Sequence, residues 1–327
     1  MKLATLRSAR PDGDLVLVSR DLKRMVRAGD IAPTLQAALD GWAALRPKLE
    51  ARFEALEAGR ETKAEPFDPT RAHSPLPRAY QWVDGSVYRG HNERMAKWSQ
   101  RPVNPRWYQE PWMYQGASDA FLGPYDDIPG VTEEWGIDYE GEIAVITDAV
   151  PYGAKPEAAG AHIALVMIAN DVSLRNLIGP ELQKGFGFVQ SKPASAFSPV
   201  AATPDELGSA WRDCRLHRPL VSSVNGEQYG DPDAGEMQHG FDRLIAHVAT
   251  TRALAPGTII GSGTVASLDE ARGTSCLAER RVIESLKHGS PQTPFLRFGD
   301  RVRIDMLDTA GRSIFGAIEQ TVRQVGR

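Results

Sequence analysis

The sequence contains only two cysteines, Cys214 and Cys276, and they form no short pair. That excludes a zinc site built from thiolates and fits a reducing cytoplasm, the expected location. No run of about 18 apolar residues occurs, so no membrane-spanning helix is expected. The opening MKLATLRSARPDGDLVLVSR lacks a long apolar core and is not expected to be a signal peptide. Lys and Arg are scattered without a polybasic block and the formal charge is −4, which argues against a general nucleic-acid binder. A G-x-S-x-G elbow is missing, which weakens a serine-hydrolase reading. GSGTVAS holds half of a dinucleotide fingerprint but lacks its third glycine, and no long helix follows clearly.

What is present is a chain of 327 residues, long enough for one large domain or two unequal ones. KLATLR and DLVLVS read as a strand pair joined by the turn-rich SARPDG. Leu35, Leu39, Trp42, Leu49, Phe53 and Leu56 recur at helical spacing, with Pro47 expected to break or kink the helix. A polar, proline-bearing stretch then reads as a linker, placing a boundary near residue 77. This divides the chain into a small N-terminal α+β domain, 1–77, and a larger domain, 78–327. The larger domain is rich in short strand-like runs, with Asn225-Gly226 as a hairpin turn. One amphipathic helix is expected over 236–252. Strands dominate without alternating regularly with helices, so the fold class is α+β and β-rich.

The run IDYEGEIAVI reads as an apolar strand, yet it holds Glu140 and Glu142. On one strand both carboxylates share a face. At about 5 Å they repel by roughly 3 kcal/mol at an effective dielectric near 20. Two solvated carboxylates on an edge strand are the plain explanation. A hard divalent cation between them is the sharper one, because oxygen ligands suit Mg²⁺, Ca²⁺ or Mn²⁺. Asp171, at the end of the apolar HIALVMIAND, is either a cap or a third ligand. Asp84 and, seven residues on, His91 fall in YQWVDGSVYRGHNERM. An isolated histidine is usually a surface group; beside a metal, an imidazole titrating near neutrality activates water. Glu236 and His239 have i, i+3 spacing, but a single copy fits a surface or helix-start role better. Asp126 and Asp127, in GPYDDIPG, read as turn residues.

Taken in order, Asp84…His91, DYEGE, ANDVSLRN, QSKPASAFSP, SGTVAS and SCLAERR resemble the fumarylacetoacetate hydrolase family over about residues 80–320, and the fumarylacetoacetase branch in particular. The resemblance implies a mixed β-sandwich roll as the catalytic domain, a smaller N-terminal domain and a homodimer. It makes Glu140, Glu142, Asp171 and Asp84 metal ligands, His91 the water-activating base, and Glu279 the acid that orients it. Lys192 matches a lysine near the metal, and Tyr114, Arg175 and Thr264 fall where the organic acid is contacted. Departures touch the substrate end: Ser86 replaces an aromatic contact and Ile178 a glutamine. A smaller branch of the family carries its catalytic Glu three residues after the His, where this chain has Arg94; Glu93 sits one residue short.

The implied activity is a cation-dependent hydrolysis of a C–C bond in a 1,3-diketo acid, fumarylacetoacetate- or acylpyruvate-like, with Mg²⁺ the first choice of ion and Mn²⁺ or Ca²⁺ the others. Decarboxylation or tautomerisation of an oxo-acid is the alternative, and a metal-binding protein without catalysis a third. The partners expected are the small-molecule acid and a second copy of the chain, with no nucleic acid and no membrane.

Overall fold

A computed structural model describes residues 1–326. Its backbone is a mixed α+β architecture in which two sheets carry most of the core. The larger sheet has eleven strands. At its centre Gly141–Thr147 and Ile163–Asn170 pair antiparallel. On one side follow Ile259–Gly261, Trp82–Gly85 and Met113–Gly116; on the other follow Val200–Ala202, Lys2–Leu6, Asp14–Val18 and Arg24–Arg27. The N-terminal strands thus extend the large sheet, through Leu3 opposite Ala201. The second sheet contains Leu220–Val224, Arg301–Met306 and Ile318–Gln324.

Strand parity explains how the layers are held. Ile143 and Val145 join Leu220, Val302, Ile304 and Ile318 in one apolar cluster. Ala144 and Ile146 face the opposite way, toward Leu35, Leu39, Trp42, Leu49 and Phe53 of the N-terminal helices. Both central strands are therefore buried on both faces, which accounts for their continuous apolar runs. Among the described residues no helix is long and apolar enough to cross a membrane.

Several local expectations are met. SARPDG joins Lys2–Leu6 to Asp14–Val18. Asn225 and Gly226, with φ of 52° and 83°, close a two-residue hairpin with Val224 opposite Glu227. Others are corrected. The helical segment breaks at Gly41, into Leu35–Asp40 and Trp42–Glu57, and runs on through Pro47. The hydrogen bond that Pro47 forfeits belongs to the carbonyl of Ala43, a residue on the exposed side of the helix. The helix expected over 236–252 spans only Phe241–Ala249. Glu236 precedes it because its carboxylate accepts from Ser267 Oγ and the Leu268 amide. The polar stretch before residue 80 is no free tether: Ser74 is fully buried, donating to the Leu122 carbonyl and accepting from the Phe197 amide.

The run 137–146 is not one strand. Ile137–Asp138 pairs with Ser173–Leu174, and Gly141–Thr147 belongs to the large sheet. The cause is Asp138, whose carboxylate accepts from the Leu277 and Ala278 amides at the start of the helix Leu277–His288. This pulls the chain out of the sheet just before Glu140.

Candidate active site

Three strand ends deliver three carboxylates to one place. Asp84 lies near the end of Trp82–Gly85, Glu142 near the start of Gly141–Thr147, and Asp171 just past Ile163–Asn170. One oxygen from each lies within 4.8 Å of the others, and all three side chains are buried. Small residues make the room. Ala169 stands opposite Glu142, and a Cβ on Gly261 would meet Asp84 Oδ1 at 2.3 Å. The Gly263 amide, at a φ of +77°, donates to Asp84 Oδ1 at 2.9 Å.

The donors are distributed unequally. Asp171 accepts from Tyr114 Oη at 2.5 Å, Ser195 Oγ at 2.7 Å and Lys192 Nζ at 2.5 Å. Glu142 has no donor at either oxygen. Burial, with Asp84 and Asp171 beside it, pushes its carboxyl well above the usual range. Burial and the Asp171 charge push Asp84 up to about 8. A buried carboxylate without donors, beside two others that repel it, is the setting a hard cation stabilises. The residues present therefore fit a divalent ion held by Asp84, Glu142 and Asp171.

Glu140 stands outside that compact group. Its Oε1 lies 2.6 Å from Arg175 Nη2 and its Oε2 accepts from Lys192 Nζ at 2.5 Å. Burial alone would raise its carboxyl, but Arg175 and Lys192 outweigh this and hold it far below the carboxylate range. Lys192 is the reciprocal case: burial works against its charge, yet Asp171 and Glu140 keep it protonated. Two buried cations thus relieve the Glu140–Glu142 repulsion in part, alongside the ion expected from the sequence.

On the adjoining wall His91 Nδ1 lies 3.0 Å from Glu279 Oε2. Glu279 is fully buried, and its other oxygen accepts from Arg94 Nη1 at 2.5 Å. Arg94 Nη2 in turn donates to the Leu268 carbonyl. Glu93 pairs instead with Arg89 at the surface. Cys276 Sγ also lies near His91 and Glu279. It accepts from the Glu279 amide as the cap of Leu277–His288, while Glu279 Oε1 is taken by Arg94 and Oε2 by His91.

These groups open onto one cavity of about 680 Å³. Its lining includes Asp84, Ser86, His91, Tyr114, Glu140, Arg175, Lys192 and Thr264, while Glu142, Asp171 and Glu279 stand behind it. Ser86 is tied to Asn92 by the Asn92 amide, 3.1 Å from Ser86 Oγ. Glu236 and His239 are elsewhere engaged; His239 Nε2 is 2.9 Å from the Trp107 carbonyl. Sequence reasoning missed Asp138, Arg94 and Ser195. Asp138 precedes the Glu pair by two residues, and an acid in so apolar a run was the signal available. It holds Arg175 Nε at 2.8 Å.

Known proteins place this geometry in context. The family model described as fumarylacetoacetate (FAA) hydrolase C-terminal matches residues 81–323, and that of fumarylacetoacetase N-terminal domain 2 matches residues 1–78. A curated relative, the mitochondrial oxaloacetate tautomerase FAHD2A of Bos taurus, is 29% identical over 157 residues, which is 48% of each chain. The chain spans about half the length of the curated relatives it matches. Among solved structures, fumarylacetoacetate hydrolase from Exiguobacterium antarcticum aligns with TM-score 0.65 and 19% identity, over 99% of this chain and 100% of the other. Maleylpyruvate hydrolase from Sphingobium sp. SYK-6, in complex with manganese (II) ion and pyruvate, aligns with TM-score 0.65 and 17% identity over the whole of both chains. At those identities the structural likeness speaks for the fold. The match across 81–323, covering most of the chain, speaks for ancestry: the protein belongs to the fumarylacetoacetate hydrolase family.

Proposed function

We propose that this protein is a divalent-cation-dependent hydrolase that cleaves a C–C bond in a 1,3-diketo acid of the acylpyruvate or fumarylacetoacetate type. The observation that carries the reading is one cavity lined by His91, which Glu279 orients, by Asp84 of the carboxylate cluster and by two buried cations, with the donorless Glu142 beside Asp84. Asp84, Glu142 and Asp171 would hold the ion, with Glu140 next to them; Mg²⁺ suits all-oxygen ligation best, and Mn²⁺ also fits. Once bound, such an ion supplies Lewis-acid polarisation of the substrate oxygens.

The chain's own residues account for the rest. A hydrogen bond from His91 Nδ1 to Glu279 leaves Nε2 as the proton acceptor. His91 takes a proton from water as its oxygen attacks the acyl carbonyl carbon. The bond from that carbon to the methylene carbon then breaks, and its electron pair stays with the departing fragment as an enolate. The imidazolium returns the proton to the methylene carbon of that enolate, giving a carboxylic acid and an α-keto acid. Lys192 and Arg175 place positive charge where oxyanion character develops. A homodimer is the assembly this reading carries with it.

The test is a screen of the purified chain with Mg²⁺, Mn²⁺ or Ca²⁺ over acylpyruvates, with products separated by mass. Two acid fragments are expected; none across the metal-replete panel would overturn the reading. The likeness to an oxaloacetate tautomerase favours a second one, proton transfer on an oxo-acid without attack by water. His91→Ala separates the two. Hydrolysis needs the base and disappears, whereas enolisation or decarboxylation that survives the substitution supports the second.

A further inference from the structure

The cavity changes character along its depth. Its floor is charged and buried: Asp84 is 2% exposed, Glu140 5% and Lys192 7%. Its outer wall is apolar and open, with Leu182 62% exposed and Trp112 44% exposed. Ile178, Met113 and Phe188 line the same cavity and are only partly covered. An aromatic pair marks the transition. Phe188 packs edge-on against Tyr114 with ring centroids 4.9 Å apart, and the Tyr114 hydroxyl reaches down to Asp171.

The cations are all committed at the floor. Arg175 is held by Asp138 and Glu140, and Lys192 by Glu140 and Asp171. The titratable groups on the exposed lining are Glu110, which pairs with Arg106, and the imidazole of His247. A second carboxylate at the far end of a substrate would leave water for an apolar wall and meet no lysine or arginine among the lining residues there. An alkyl chain or aromatic ring would instead cover side chains that now face solvent.

We propose, resting on the diketo-acid reading above, that the acyl end of the substrate is an uncharged apolar chain or ring, with Ile178, Leu182 and Phe188 selecting it over a dicarboxylate. Binding then tightens by roughly 3- to 4-fold for each methylene added until the wall is covered.

The experiment uses the full chain saturated with Mn²⁺ and two sets of compounds. Acylpyruvates with butanoyl, hexanoyl and benzoyl ends are compared with succinyl and fumaroyl counterparts by kcat/KM. Saturated α-keto acids with the same tails, which cannot be cleaved, are compared by calorimetric Kd. Apolar tails are expected to win by roughly ten-fold or more in both sets. Leu182→Lys, an exposed position that leaves folding intact, and Ile178→Arg are each expected to narrow or invert that ratio. Carboxylate tails that bind as well or better, a ratio neither substitution moves, or no binding of either set overturns the inference. Discrimination in Kd without turnover upholds this inference and defeats the hydrolase reading. Turnover without discrimination does the reverse.

Discussion

Glu142 is buried with both oxygens lacking donors, and its neighbours are two more acids. In the metal-free protein it is a liability; with an ion bound it is a ligand. Glu142→Gln is therefore expected to raise the melting temperature of the chelator-treated protein, by roughly 1–3 kcal/mol of stability, because an amide is neutral without taking up the proton that burial and the neighbouring acids force on this carboxyl. The same change is expected to abolish the upward shift that Mn²⁺ produces. Differential scanning fluorimetry with and without EDTA reads both effects, and a destabilised metal-free variant would contradict the account. Arg94 acts one step further from the chemistry. It shares Glu279 with His91, so Arg94→Ala is expected to loosen the orienting acid and lower kcat by roughly ten-fold with little change in KM. Arg94→Lys, which retains the charge but not the contact to the Leu268 carbonyl, is expected to recover part of that loss.

The elements that place these residues are short, and side chains hold them. Glu181 gathers the amides of Val189, Gln190 and Ser191 together with Ser191 Oγ, fixing the turn that leads into Lys192. Chiefly the Ser191 hydroxyl, then the Gln190 amide, hold its carboxyl down at about 2. The folded value lies below the unfolded one, so its contribution is fully present above about pH 4.5 and is lost as pH falls toward 2. Glu181→Gln is expected to speed hydrogen exchange at residues 189–191 already at pH 7 and to lower kcat/KM, since Lys192 loses its support; unchanged exchange would count against it. The break at Tyr139–Glu140 shows why such detail escapes pattern reading. Parity put Glu140 and Glu142 on one face, but the Asp138 carboxylate caps a helix 139 residues away and ends the strand early. Local sequence contains no trace of that distant helix. Pro47 errs in the other direction: a strong local breaker is tolerated where the residue whose carbonyl it frees, Ala43, is exposed.

Across the whole molecule, residues 1–77 do not hang beside the site but complete its sheet. Lys2–Leu6 pairs with Val200–Ala202, and the N-terminal helices cover Ala144, Ile146 and Met167. Deleting residues 1–77 is expected to yield insoluble protein, because a sheet edge and an apolar face open together; a folded, monodisperse truncation would refute the expectation. Ion binding should stabilise the full chain by about 2.7 kcal/mol at a hundred times Kd, reversed by EDTA.

The sequence by itself determined the β-rich α+β class and drew notice to Glu142, inside one apolar run, and Asp171, at the end of another, because apolar runs and the acids that interrupt or end them are local patterns; Asp84 entered as a ligand with the family resemblance. Only the tertiary structure decided which oxygens stay without donors, that Glu140 is claimed by Arg175 and Lys192, and that Arg94 shares Glu279 with His91. Those are matters of distance between segments up to 188 residues apart, set by how two sheets and a helix terminus pack.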